Sequence, residues 1–236
     1  MSIWGKILGG AAGLAVAGPL GALIGAVAGH LGIDRDWGEA ESDPTRTAAF
    51  TIGVIALSAK MAKADGQVTR DEIAAFRTVF TVPEGDATAV GRIFNMARED
   101  VAGFEHYARD LYRLLKDRPG VLEDLLDGLF FIAKADGAID LKEVAFLAQV
   151  ADIFGFSEFE FERIKASHLP PDENDPYVVL GLTHDADQDA IKKAYRRLAA
   201  ENHPDRLIAR GVPEEFIEIA TEKLKAINAA YEKLRR

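Results

Sequence analysis

The 236-residue chain contains no cysteine. Disulfides, thiolate metal sites and a cysteine nucleophile are therefore excluded, and a reducing compartment is allowed without being demanded. An excess of positive charge is missing too. Lys and Arg number 28 against 38 Asp and Glu, a formal net charge of −10. Phosphate contacts need a basic surface, so no nucleic-acid partner is expected, although one local basic patch remains open. The histidines, His30, His106, His168, His184 and His203, are scattered, and no two have the i, i+4 spacing that puts a ligand pair on one helix face. There is no GxSxG elbow, Walker loop or GxGxxG. No nucleophile, base and orienting group can be assembled, so neither an enzyme nor a cofactor is expected. What is present, 48% hydrophobic and 28% charged residues, suits a folded core. Helical periodicity prevails and strand alternation is scarce, which points to an all-α fold.

The chain divides into three zones. Residues 1–34 hold "ILGGAAGLAVAGPLGALIGAVAG", Ile7 to Gly29, which carries no charge. As a helix it would be about 34 Å long at ~1.5 Å per residue, enough to cross a bilayer. Gly5, Gly9, Gly13, Gly21, Gly25 and Gly29 repeat every four residues, with Ala17 filling the gap. This small-xxx-small face lets a second backbone approach closely in a membrane. A glycine-zipper membrane anchor, with helix packing through Gly9, Gly13, Gly21, Gly25 and Gly29, is the expectation. A secretory signal, a hairpin broken at Gly18-Pro19 and a tail packed on the rest of the chain are the alternatives.

Residues 45–168 read as a helical bundle with an internal repeat. "KADGQVTRDE" begins at Lys63 and "KADGAIDLKE" at Lys134, 71 residues apart. Gly66 and Gly137 can end one helix in a left-handed conformation. Thr69 and Asp140 can cap the next, with Glu72 and Glu143 completing capping boxes and Val68 and Ile139 supplying hydrophobic staples. The same residues match the second half of a calcium-binding EF-hand loop. The first half fails, because its first and third ligand positions fall on Ile132 and Lys134, and on Met61 and Lys63 in the other copy. No metal site is assigned; Asp65, Glu72, Asp136, Asp140 and Glu143 are the weak candidates. The duplicated corner in an all-helical stretch resembles the TerB-like domain of tellurite-resistance proteins. The resemblance implies a compact bundle with pseudo-twofold symmetry, in a family some of whose members bind metal.

A polar, proline-rich linker, residues 169–174, precedes residues 175–236. Asp175 can cap a short helix with Pro176 at its first position. Asp185 or Asp187 can start a second, on which Ile191, Ala194, Tyr195 and Leu198 share a buried face. Lys192 with Arg196, and Lys193 with Arg197, form like-charged i, i+4 pairs on the remaining surface, an unfavourable spacing for a helix that needed only solubility. A third helix is expected with Pro213 in its first turn and a core face of Phe216, Ile219, Ala220, Leu224, Ile227, Tyr231 and Leu234. Between the two long helices lies a loop with His203-Pro204-Asp205, where proline forbids helical geometry at the residue before it.

"DPYVVLGL", "IKKAYRRLAAENHPDR" and "KLKAINAAYEKL" together resemble the J domain of DnaJ-type co-chaperones. That resemblance implies that His203, Pro204 and Asp205 trigger ATP hydrolysis in a DnaK-type chaperone. It also implies that Lys192, Lys193, Arg196 and Arg197 dock on that partner's acidic surface, with Tyr177, Leu180, Leu198, Leu224 and Tyr231 as core. The extension "RLIARGVPEEF" is longer than the J-domain prototype. The order of parts, from "WGKILG" through a duplicated KADG region to a terminal J domain, resembles the DjlA family of membrane-anchored co-chaperones. It implies an anchor in the bacterial inner membrane, both folded regions in the cytoplasm and a DnaK-type partner; the glycine face of the anchor, by itself, allows a homodimer. A metal- or stress-sensing membrane adaptor with an accessory J domain is the alternative function.

Overall fold

A computed structural model describes residues 19–20, 23, 43–65, 87–99, 103–134, 137, 139–170, 173–209 and 216–235. The described residues form helices and connecting turns, with no strand. The first, α1 (Asp43–Asp65), explains the arrangement around it. Every residue from Thr51 to Ala62 is buried. A helix covered on all sides must be central, and α1 packs on α2 (Ala87–Glu99), α3 (Phe104–Leu115), α4 (Pro119–Ala133) and α5 (Leu141–Ile153). The apolar runs of these helices, with Phe161 and Ile164 of α6 (Glu158–His168), close one core.

The second KADG corner is built as the capping pattern predicts. Gly137 has φ +114°, a region that favours glycine, and its amide donates to Lys134 O at 3.0 Å. Asp140 caps α5, accepting from the Lys142 and Glu143 amides at 2.6 and 2.8 Å, while Glu143 accepts from the Asp140 amide at 2.9 Å. Ile139 and Val144 pack against the core on either side of this cap. The equivalent residues from Gly66 to Glu72 lie outside the described residues, as does Asp136. A second capping box, Ser157 with Glu160, starts α6.

The third region begins as expected. Asp175 accepts from the Tyr177 amide at 2.9 Å and Pro176 opens α7 (Pro176–Val179). Asp187, rather than Asp185, caps α8 (Gln188–Glu201), accepting from the Ala190 amide at 2.8 Å. α8 lies against α10 (Ile217–Leu234). Tyr195 stacks on Tyr231 with ring centroids 4.1 Å apart, and Gln188 Nε2 donates to Leu234 O at 2.8 Å, tying the open ends together. Leu180 and Leu198 are buried in this second core; Tyr177, Leu224 and Tyr231 are partly buried.

Two expectations need correction. The connection between α8 and α10 is not all loop: Pro204 and Asp205 open a short helix, α9 (Pro204–Ala209), because a proline is well placed at a first helical position. The described part of α10 runs from Ile217 to Leu234 with Phe216 at its N-cap; Pro213, expected in the first turn, lies outside the described residues. The core face of α10 is also incomplete as predicted, since Lys223 is buried, 2% exposed.

Of the amino-terminal zone, Pro19, Leu20 and Leu23 are described. Leu20 and Leu23 are buried in the core around α1, and the Leu20 amide donates to Asp110 Oδ2 at 3.4 Å. Gly9, Gly13, Gly21, Gly25 and Gly29 lie outside the described residues. Among the described residues no helix is long and apolar enough to cross a membrane.

Candidate partner-docking face

α8 separates two chemistries by its periodicity. Ile191, Ala194 and Leu198 point into the hairpin core, and Lys192, Lys193, Arg196 and Arg197 are all exposed. Arg197 reaches Glu201 one turn on, at 3.1 Å. Lys192, Lys193 and Arg196 make no ion pair with any described residue. A cationic face that its own protein leaves largely uncompensated can make charge-assisted hydrogen bonds to foreign carboxylates.

The signature follows directly. Asn202 ends α8; it is buried, and its Nδ2 donates to Leu198 O at 2.8 Å. His203 then leaves the helix. Its Nδ1 accepts from the Asp205 amide at 3.3 Å and stands 3.7 Å from the Asp205 carboxylate. The ring thus caps the first turn of α9 and is held by its own backbone. The His203 and Asp205 side chains remain 57% and 89% exposed. The four basic residues lie along the exposed surface of α8 and the tripeptide follows its carboxyl end, where the signature presents polar atoms outward. Asn202, which fixes the end of α8, carries no sequence signal beyond its place before the tripeptide.

A second charged assembly lies beneath the hairpin. Lys223 Nζ donates to Glu123 Oε1 and to Asp127 Oδ2, each at 2.6 Å. Arg163 donates to Glu123 Oε2 at 2.6 Å, and His168 Nε2 lies 2.8 Å from Asp127 Oδ1. The His168 ring stacks on Phe130 at 5.0 Å. Burial pushes the Glu123 carboxyl up, but Lys223 and Arg163 together outweigh it and hold the group well below the ordinary carboxylate range. Burial likewise pulls Lys223 and Arg163 down, and the facing carboxylates raise both above their usual values.

Two of the cation candidates, Asp140 and Glu143, take part in helix capping. Asp140 accepts the Lys142 and Glu143 amides on Oδ1, and Glu143 accepts the Asp140 amide on Oε2. Lys134 sends its ammonium to His168 O at 2.7 Å, closing the carboxyl end of α6. No group of three or more metal-ligating side chains occurs among the described residues.

Comparison with known proteins matches each zone. The model of tellurite resistance protein TerB covers residues 51–166, that of the DnaJ domain covers 175–236, and that of the co-chaperone DjlA transmembrane domain covers 1–48. Over 261 aligned residues the chain is 30% identical to co-chaperone protein DjlA of Coxiella burnetii, spanning 98% of this chain and 97% of that one. The chain belongs to the DjlA co-chaperone family. The DjlA proteins of Pasteurella multocida and Yersinia pestis are each 29% identical to it, over 98% and 100% of its length. No solved structure matches. As a DjlA-family chain it carries both a DnaJ domain and a segment that matches the family's transmembrane model, and its named relatives are co-chaperones.

Proposed function

We propose that this chain stimulates ATP hydrolysis by a DnaK-type chaperone while held at the bacterial inner membrane by residues 1–34, its TerB-like region (45–168) and J domain (175–236) lying in the cytoplasm. The observation that carries this reading is the exposed His203-Pro204-Asp205 corner at the end of an exposed cationic helix. Lys192, Lys193, Arg196 and Arg197 steer the hairpin onto an acidic partner surface and set the salt dependence of association. The capped corner then favours the partner's hydrolysis-competent state by binding it better than the other state. The chain itself performs no covalent step.

His203→Gln separates these roles. It should abolish stimulation of the chaperone's ATPase while circular dichroism and melting stay unchanged; full stimulation by the variant would refute the trigger. Reversing Arg196 and Arg197 to Glu should weaken association, most clearly at low salt, where exposed charges are least screened. Resistance of the full chain to alkaline carbonate extraction tests the anchor. Cross-linking in membranes, with Gly21→Leu or Gly25→Leu as controls, tests pairing through the glycine face.

The metal-sensing alternative gains no support at the described corner, where the capping interactions already use Asp140 and Glu143.

A further inference from the structure

The J hairpin is seated on the bundle at three points, none of which its partner-facing residues use. First, Leu207 of α9 and Phe216, Ile219 and Ala220 around the start of α10 belong to the core built around α1, not to the hairpin's own core. The Phe216 ring lies so close to Gly128 of α4 that a Cβ there would stand 2.4 Å from it, and the three nearest atoms such a Cβ would meet all belong to that ring. Second, Lys223 inserts between Glu123 and Asp127 of α4 and is 2% exposed. Third, Arg163 of α6, itself paired with Glu123, lies under Gly181 of the "DPYVVLGL" turn, its Cδ 2.9 Å from where a Cβ would stand. Leu207 and Phe216 bracket the extension after the signature, so that insertion flanks a seat.

We propose that Lys223, Glu123, Asp127 and Arg163 form an interdomain latch that holds the J hairpin in one orientation on the TerB-like bundle, with Lys223 as the positioning residue. The latch leaves Lys192, Lys193, Arg196, Arg197, His203 and Asp205 exposed, so it presents the partner face and does not mask it. In its functional meaning the inference rests on the reading of that face given above; the latch itself is physical and is tested without the partner.

The absence of native cysteine makes the test clean. Spin labels on Arg109→Cys and Asn228→Cys, both exposed, report the bundle-to-hairpin distance in the full chain. The unmodified interface should give one narrow distribution. Lys223→Glu places a carboxylate against Glu123 and Asp127 and should broaden it at least twofold. Gly128→Ala, which by itself favours the helical state of α4, should broaden it as well, by displacing Phe216. Lys223→Arg, which keeps the cation, should stay nearer the unmodified width than Lys223→Glu. A broad distribution in the unmodified chain, or the same narrow one in both Lys223→Glu and Gly128→Ala, overturns the latch. Neither result touches the His203→Gln test, so the two readings fail separately.

Discussion

Lys223 is the residue whose behaviour departs most from its type. A lysine in an amphipathic helix ordinarily extends its ammonium into water; here it is enclosed, and two carboxylates compensate the lost hydration. Such a pair is strongly destabilising to break from one side, because the abandoned charges stay buried. Lys223→Ala should therefore lower unfolding free energy by about 3–5 kcal/mol in denaturant titration, whereas Lys225→Ala, two residues on and on the exposed face, should stay within about 0.5 kcal/mol of the parent. Glu123 gives the matching pH dependence. Its folded pKa lies below its ordinary 4.5, so its contribution is present above that value and is lost as the pH falls below it. Lys223 is shifted upward from 10.5, so its contribution is complete below that pH and is lost only as the pH rises further. Acid titration of stability should accordingly show a steep limb below about pH 4.5 that flattens in Glu123→Gln. Nothing near Lys223 in the sequence announces its role, since its partners are 96 and 100 residues away.

Helix ends were the most readable elements. Asp140 with Glu143, Asp175 with Pro176, and Asp187 each cap by local chemistry that a few adjacent residues specify. Replacing Asp140 by Ala should cost about 1 kcal/mol and fray the first turn of α5, visible as faster amide exchange at Lys142 and Glu143. The same variant should be indifferent to added calcium in a thermal-shift assay if capping is the whole role of that side chain. The Ser157–Glu160 box shows the same signature and was equally available in the sequence, three residues apart at the start of an apolar-periodic run. α9 was less readable. Proline before a polar stretch serves equally as a stop or as a first helical residue, and only the burial of Leu207 against another helical layer decides for the second.

At the scale of the molecule, the all-helical architecture and the exposed basic face were legible, because periodicity places side chains on faces. The relation between the two cores was not. The polar linker between α6 and α7 marks a change of module in sequence, yet packing crosses it in both directions. Ala166 of α6 joins the hairpin's core, while Phe161 and Ile164 of the same helix join the other. Two regions that share a helix and a buried ion cluster should not melt independently. Calorimetry of the purified chain should show one transition, and Lys223→Glu should split it into two.

A helix that serves two cores also limits what can be exchanged between relatives. Transplanting a foreign J hairpin at the proline-rich joint would strand Glu123 and Asp127 opposite whatever stands in place of Lys223, and would leave the hollow over Gly128 unfilled. The donor hairpin could fold and still ride loose. A functional chimera would have to carry α6, the acidic face of α4 and the hairpin as one inherited block, so the unit that evolution can trade is larger than the domain boundary drawn in the sequence.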